Sequence, residues 1–149
     1  MNRQLIEDTF RLLQAELSPI AGIKLQLSPA SCERFIEILE RHELDETRKI
    51  HLLGIYMILA VAIQRHSECT LHHPDLVRNI LDGDYLYSFY LQFAVNHREV
   101  DLVAYMAPSL KKMQIKRSNG DFLEWNPADH IDAFLLQERR QGSRTSKAI

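Results

Sequence analysis

Two stretches of this chain are apolar on more sides than a surface helix can be. Residues 50 to 63, IHLLGIYMILAVAI, and residues 81 to 94, LDGDYLYSFYLQFA, both have helical composition but place their apolar residues almost all round the axis. A helix of that kind has to be covered on more than one side. The uninterrupted apolar run, residues 52 to 63, is too short to span a bilayer, which takes about 20 residues. It is expected to be a buried helix, with no stable membrane insertion.

The remaining sequence supplies the covering elements. Leu5, Ile6, Phe10, Leu13 and Leu17 recur every three or four residues and predict an amphipathic first helix, ended by Ser18-Pro19. Ser28 followed by Pro29 is an N-cap with a proline in the first turn. The second helix then turns Phe35, Ile36 and Leu39 inward. Asp45 caps a third helix reaching about His66, and Pro74 opens a fourth that contains the aromatic stretch.

A fifth helix begins near Arg98 with Val100, Leu102, Val103, Met106, Leu110 and Met113. Pro108 inside it predicts a kink or break, because proline removes a backbone donor and clashes with the preceding turn. After a turn at Asn119-Gly120, Asn126-Pro127 starts a last helix bearing Ile131, Phe134 and Leu135. Strand signals are lacking. The expected fold is all-α: one domain of about six helices over residues 1–138, then a disordered polar tail over 139–149.

Composition narrows the function classes. The formal net charge is -2 and no folded segment concentrates Lys or Arg, so nucleic acid is not an expected partner. Cys32 and Cys69 lack the spacing of a disulfide framework, and the N-terminal pattern contains acids unlike a signal peptide; a cytoplasmic location is expected. His66, Cys69, His72 and His73 have zinc-compatible residue types but supply one thiolate and no second paired element. Exposed loop histidines are the expected case, with no metal of the chain's own. The five glycines are scattered, so no phosphate loop exists, and no nucleophile motif surrounds either cysteine. Mg²⁺–diphosphate chemistry needs several carboxylates on one face. Asp82 and Asp84 are two apart and diverge on a helix, while Asp129 and Asp132 share a face that reads as solvated surface.

The segment ILDGDYLYSFYLQFA resembles the Gly-Asp-aromatic segment of component I, the small subunit of heterodimeric heptaprenyl and hexaprenyl diphosphate synthases. Gly83, Asp84 and Tyr85 match its core; Ser88, Tyr90 and Gln92 match more loosely. The likeness extends over residues 45 to 117. In catalytic prenyl synthases the preceding helix ends in an aspartate-rich Mg²⁺ site, whereas here it ends Ile63-Gln64-Arg65-His66-Ser67-Glu68, without aspartates.

The resemblance implies a reduced part of the all-α isoprenoid synthase fold and a non-catalytic regulatory subunit. Its partner would be a catalytic large subunit that holds both acidic motifs and Mg²⁺, extending allylic diphosphates for menaquinone side chains. Catalytic residues are expected to be none in this chain, and product length stays open. Under this reading Tyr85, Phe89 and Tyr90 are expected at the subunit interface, and Ile55, Leu59 and Ile63 along the wall of a chain-length tunnel. The rival readings are a helical adaptor domain unrelated to prenyl synthesis and a small metal-dependent enzyme using the His/Cys loop.

Overall fold

A computed structural model describes the backbone of residues 2–25, 27–121 and 123–148, with side chains described as far as Gly142. The helices are α1 (Asn2–Glu16), α2 (Pro29–Glu40), α3 (Glu46–Ser67), α4 (Leu76–Asn96), α5 (Val100–Ser118) and α6 (Pro127–Ala148), with a short 3₁₀ turn at Pro19–Ala21. No strand occurs among the described residues, and the fold is all-α. The backbone assignment of α6 runs through the segment 139–148 that the sequence reading set apart as a polar tail. Side chains 143–149 lie outside the described residues.

The capping residues act as their types require. Ser28 Oγ accepts from the Ser31 N–H at 3.2 Å, and Asp45 Oδ1 accepts from the Arg48 N–H at 2.7 Å. Each satisfies a donor that the first turn of a helix leaves without an intrahelical partner. At Pro108, α5 continues without a break. One missing donor is insufficient to end a helix whose Leu102, Met106, Leu110 and Met113 are all buried on one stripe.

The central element is α3, which packs against α1, α2, α4 and α6. Ten consecutive or near-consecutive positions of it, Leu52 to Leu59 with Val61 and Ala62, are buried. By length and composition α3 would also suffice to cross a membrane, but 56% of its most apolar window is enclosed by this fold. Its most extensive partner is α4, and glycines permit that approach. A Cβ on Gly54 would stand 2.8 Å from Phe93 Cζ, and one on Gly83 only 2.1 Å from His66 Cδ2.

The aromatic helix is therefore half explained. Leu86, Phe89, Tyr90 and Phe93 of α4 are all buried at helical spacing. They face inward, and Phe89 and Tyr90 pack in this chain's own core instead of presenting surface to another subunit. The opposite face of α4 is aliphatic and open, with Val77, Leu81, Leu91 and Val95 exposed.

Polar joints close the rest. Arg48 at the start of α3 donates to Glu99 Oε1 at 2.8 Å and to Glu138 Oε1 at 2.6 Å, tying α3 to the α4–α5 turn and to α6. His42 Nε2, just past the end of α2, lies 2.7 Å from Asp132 Oδ1 of α6. His97 Nε2 is 2.9 Å from Glu16 Oε2, and its ring stacks on His51 with centroids 4.2 Å apart.

Candidate functional site

The end of α3 and the middle of α4 are built around one imidazole. Gly83 has no side chain because the His66 ring occupies that space. Asp84, the next residue, holds the ring through Oδ1 at 3.0 Å from Nε2, and Tyr87 one turn on lies against it with centroids 5.2 Å apart. Glycine for room, carboxylate for the nitrogen and phenol ring for the face make residues 83 to 87 a seat for His66. The Gly-Asp pair thus has a local structural role in joining two helices.

A cavity of about 420 Å³ opens beside this seat, lined by His66, Cys69, Asp84, Tyr87, Gln114 and Arg117 among others. Burial pushes the Tyr87 hydroxyl up, with Gln114 and Arg117 opposing. The Cys69 thiol is also pushed up, by burial first and then by the charges of Asp84 and Glu68. Its Sγ is turned to the Arg65 carbonyl oxygen at 3.4 Å. A thiol shifted in that direction is a weak nucleophile at neutral pH, since the thiolate is the attacking species.

The histidine–cysteine loop does not converge. His66 is held by Asp84, Cys69 by a backbone carbonyl, and His73 Nδ1 accepts from the Asp75 N–H at 3.0 Å. His72 is exposed. No group of three or more His, Cys, Asp or Glu side chains placed to hold a metal occurs among the described residues. The two carboxylates nearest the Gly-Asp segment do not fit a shared Mg²⁺ either. Asp82 is buried and paired with Arg78 Nε at 3.2 Å, whereas Asp84 points outward to His66.

A second opening lies on the far side of α3. Ile6 and Phe10 of α1, Leu25 and Leu27 of the connector, Pro29 and Cys32 at α2, and Met57 of α3 line an apolar groove of about 490 Å³. Burial, with the charge of Glu33 adding, pushes the Cys32 thiol up, which suits an apolar wall better than reactivity.

The expected site residues are distributed as follows. Ile55 and Leu59 are fully enclosed by this chain, and Ile63 is partly buried against the same core. Met57, from the intervening face of α3, reaches the groove instead. Tyr85 is half-buried and its hydroxyl accepts from the Ser18 N–H at 3.2 Å, fastening α4 to the end of α1. Sequence reasoning missed the pairing of His66 with Asp84, which nothing in residue spacing signals. It also missed the exposed aliphatic face of α4, whose three- and four-residue spacing from Val77 is in the sequence but whose exposure is not. No family model, curated protein or solved structure matches this chain.

Proposed function

We propose that this chain is a non-catalytic subunit of a cytoplasmic trans-polyprenyl diphosphate synthase, working beside a large subunit that supplies the acidic motifs and Mg²⁺. The reading starts from the likeness of residues 45 to 117 to component I chains. The observation that carries it is how the Gly-Asp segment is used. Asp84 is committed to His66, joining α4 to α3, and Asp82 to Arg78 within α4, so the carboxylates of the matching segment serve structural pairs.

The apolar groove beside Met57 gives the subunit something to contribute. A growing prenyl chain is hydrocarbon, and each buried CH₂ gains about 0.8 kcal/mol. A wall of Ile6, Phe10, Leu27 and Met57 offers such burial once a second subunit closes its open side. Bulk at that wall would then help set product length.

The test is co-expression with the prenyl synthase large subunit encoded in the same genome, followed by a prenyl transfer assay. The expected result is co-purification, with activity in the pair that neither chain has alone. Full activity of the large subunit alone, unchanged by adding this chain, would defeat the proposal.

A further inference from the structure

The open face of α4 has a pattern that commits it to one occupant. Val77, Leu81, Asp84, Ser88, Leu91 and Val95 follow one another in alternating steps of four and three residues. Alternating four and three is the heptad spacing, which keeps a seam facing a neighbouring helix. The four aliphatic members are 70, 61, 47 and 57% exposed, so nothing among the described residues covers the seam. Asp84 and Ser88 are exposed as well.

The seam also reads the same in both directions. About Leu86 as centre, Val77 mirrors Val95, Leu81 mirrors Leu91, and Asp84 mirrors Ser88. We infer that α4 is a self-pairing face, on which a second copy of this chain docks its own α4 antiparallel across a two-fold axis at residue 86. A two-fold interface requires that if residue i touches j, then j touches i. Here every layer satisfies it with matched chemistry: Val against Val, Leu against Leu, and a carboxylate against a hydroxyl.

The polar layers fix the register. Oδ1 of Asp84 is taken by His66, leaving Oδ2 to accept from the Ser88 hydroxyl of the second copy. Each Asp84 faces a serine and not its own copy, so no like-charge layer forms. A parallel pairing would set Asp84 against Asp84. A slip of one heptad would bring valine against the polar centre and leave aliphatic ends uncovered. The seam is about 27 Å long at 1.5 Å per residue. One helix face of that length buries less than the roughly 800 Å² per partner of a stable interface. The dimer is therefore expected in the micromolar range, depending on concentration.

This inference concerns the chain alone and does not rest on the prenyl synthase reading. Sedimentation of the isolated full chain from about 1 to 200 µM should show a monomer–dimer equilibrium. Leu81→Arg, at an exposed position, should raise the dissociation constant at least about thirtyfold, since an anchor is lost on both copies, while helicity and melting temperature stay unchanged at concentrations where both chains are monomeric. Register is read by oxidative cross-linking in a Cys69→Ser background. The double variant Leu81→Cys/Leu91→Cys should give a covalent dimer. Either single variant should not, because its two copies sit about 15 Å apart along the axis, too far for a disulfide. A chain that remains monomeric at 200 µM would overturn the inference. So would single variants that cross-link as readily as the double, or a dimer indifferent to Leu81→Arg.

Discussion

The joint at Arg48 makes the most exacting demand on this fold, and replacing it should be costly in a specific way. The guanidinium is 28% exposed and divides its donors between Glu99, whose side chain is 6% exposed, and Glu138, which is 43% exposed. Arg48→Met keeps most of the volume but strands the Glu99 carboxylate in the interior. Removing one partner of a buried pair typically costs about 3–5 kcal/mol, mostly the penalty of the charge left behind. The partial exposure of Arg48 lets water reach the gap, so the lower end, about 3 kcal/mol, is expected. The Glu138 contact, nearer solvent, contributes well under about 1 kcal/mol. For a chain of this size the melting temperature should fall by about 6–12 °C. Urea unfolding with an unchanged m-value is the assay, run as a double-mutant cycle. Adding Glu99→Gln to Arg48→Met should recover half or more of the loss, because the buried charge is gone. Adding Glu138→Gln should recover little. If Arg48→Met costs less than about 1 kcal/mol, or if Glu99→Gln rescues nothing, the buried carboxylate is not what Arg48 serves.

Four further outcomes follow from the same structure. Gly83→Ala should destabilise the wild type, since its Cβ would meet the His66 ring at 2.1 Å. In a His66→Ala background the same change should instead stabilise by roughly 0.5–1 kcal/mol, the helix preference of alanine over glycine, and a cycle of thermal melts reads the reversal of sign. The His51 and His130 pKa values are both lowered, by burial first, so the folded state favours their neutral forms. The unfolded chain then binds more protons, and their contribution, complete above the ordinary value of 6.5, is lost as pH falls through that value and below. Unfolding measured between pH 7.5 and 5.5 should show stability falling with pH, less steeply in His51→Gln; a flat profile would refute it. Leu59→Ala, in the enclosed core, should cost about 2–5 kcal/mol and leave the product of an active heterodimer unchanged. Met57→Ala should shift that product by chain length on chromatography if the groove lines the hydrocarbon path.

The fold was legible because its determinants are local and periodic. Ser28, Asp45 and Asn126 announce helix starts through side-chain chemistry that needs no tertiary partner, and each cap is where the spacing placed it. The all-round apolarity of residues 50 to 63 forced a central, wrapped helix, and α3 is that helix. Pro108 is the local signal that produced no break. Its cost to α5 is one donor, and the buried stripe of Leu102, Met106, Leu110 and Met113 outweighs it.

The site was less legible because helix faces depend on which neighbours arrive. Tyr85, Phe89 and Tyr90 are close in sequence, yet Phe89 and Tyr90 turn into the core while Tyr85 reaches sideways to Ser18. Aromatic content drew attention to the covered side of α4. The uncovered side is marked only by aliphatic residues whose exposure a sequence cannot show. Ile55 and Leu59 failed to reach a surface for the same reason: a stripe on a helix wrapped by four others meets its own chain first. Gly83 shows what linear motifs leave out. It precedes Asp84 as though the two were a binding signal, but the residue that explains both lies at the end of the preceding helix. Only when α3 and α4 are laid side by side does the pair become a socket for His66. A Gly-Asp pair followed by aromatics can therefore serve to hold a helix junction together. Its functional meaning then has to be sought in the surfaces that junction positions: the groove beyond α3 and the seam outside α4.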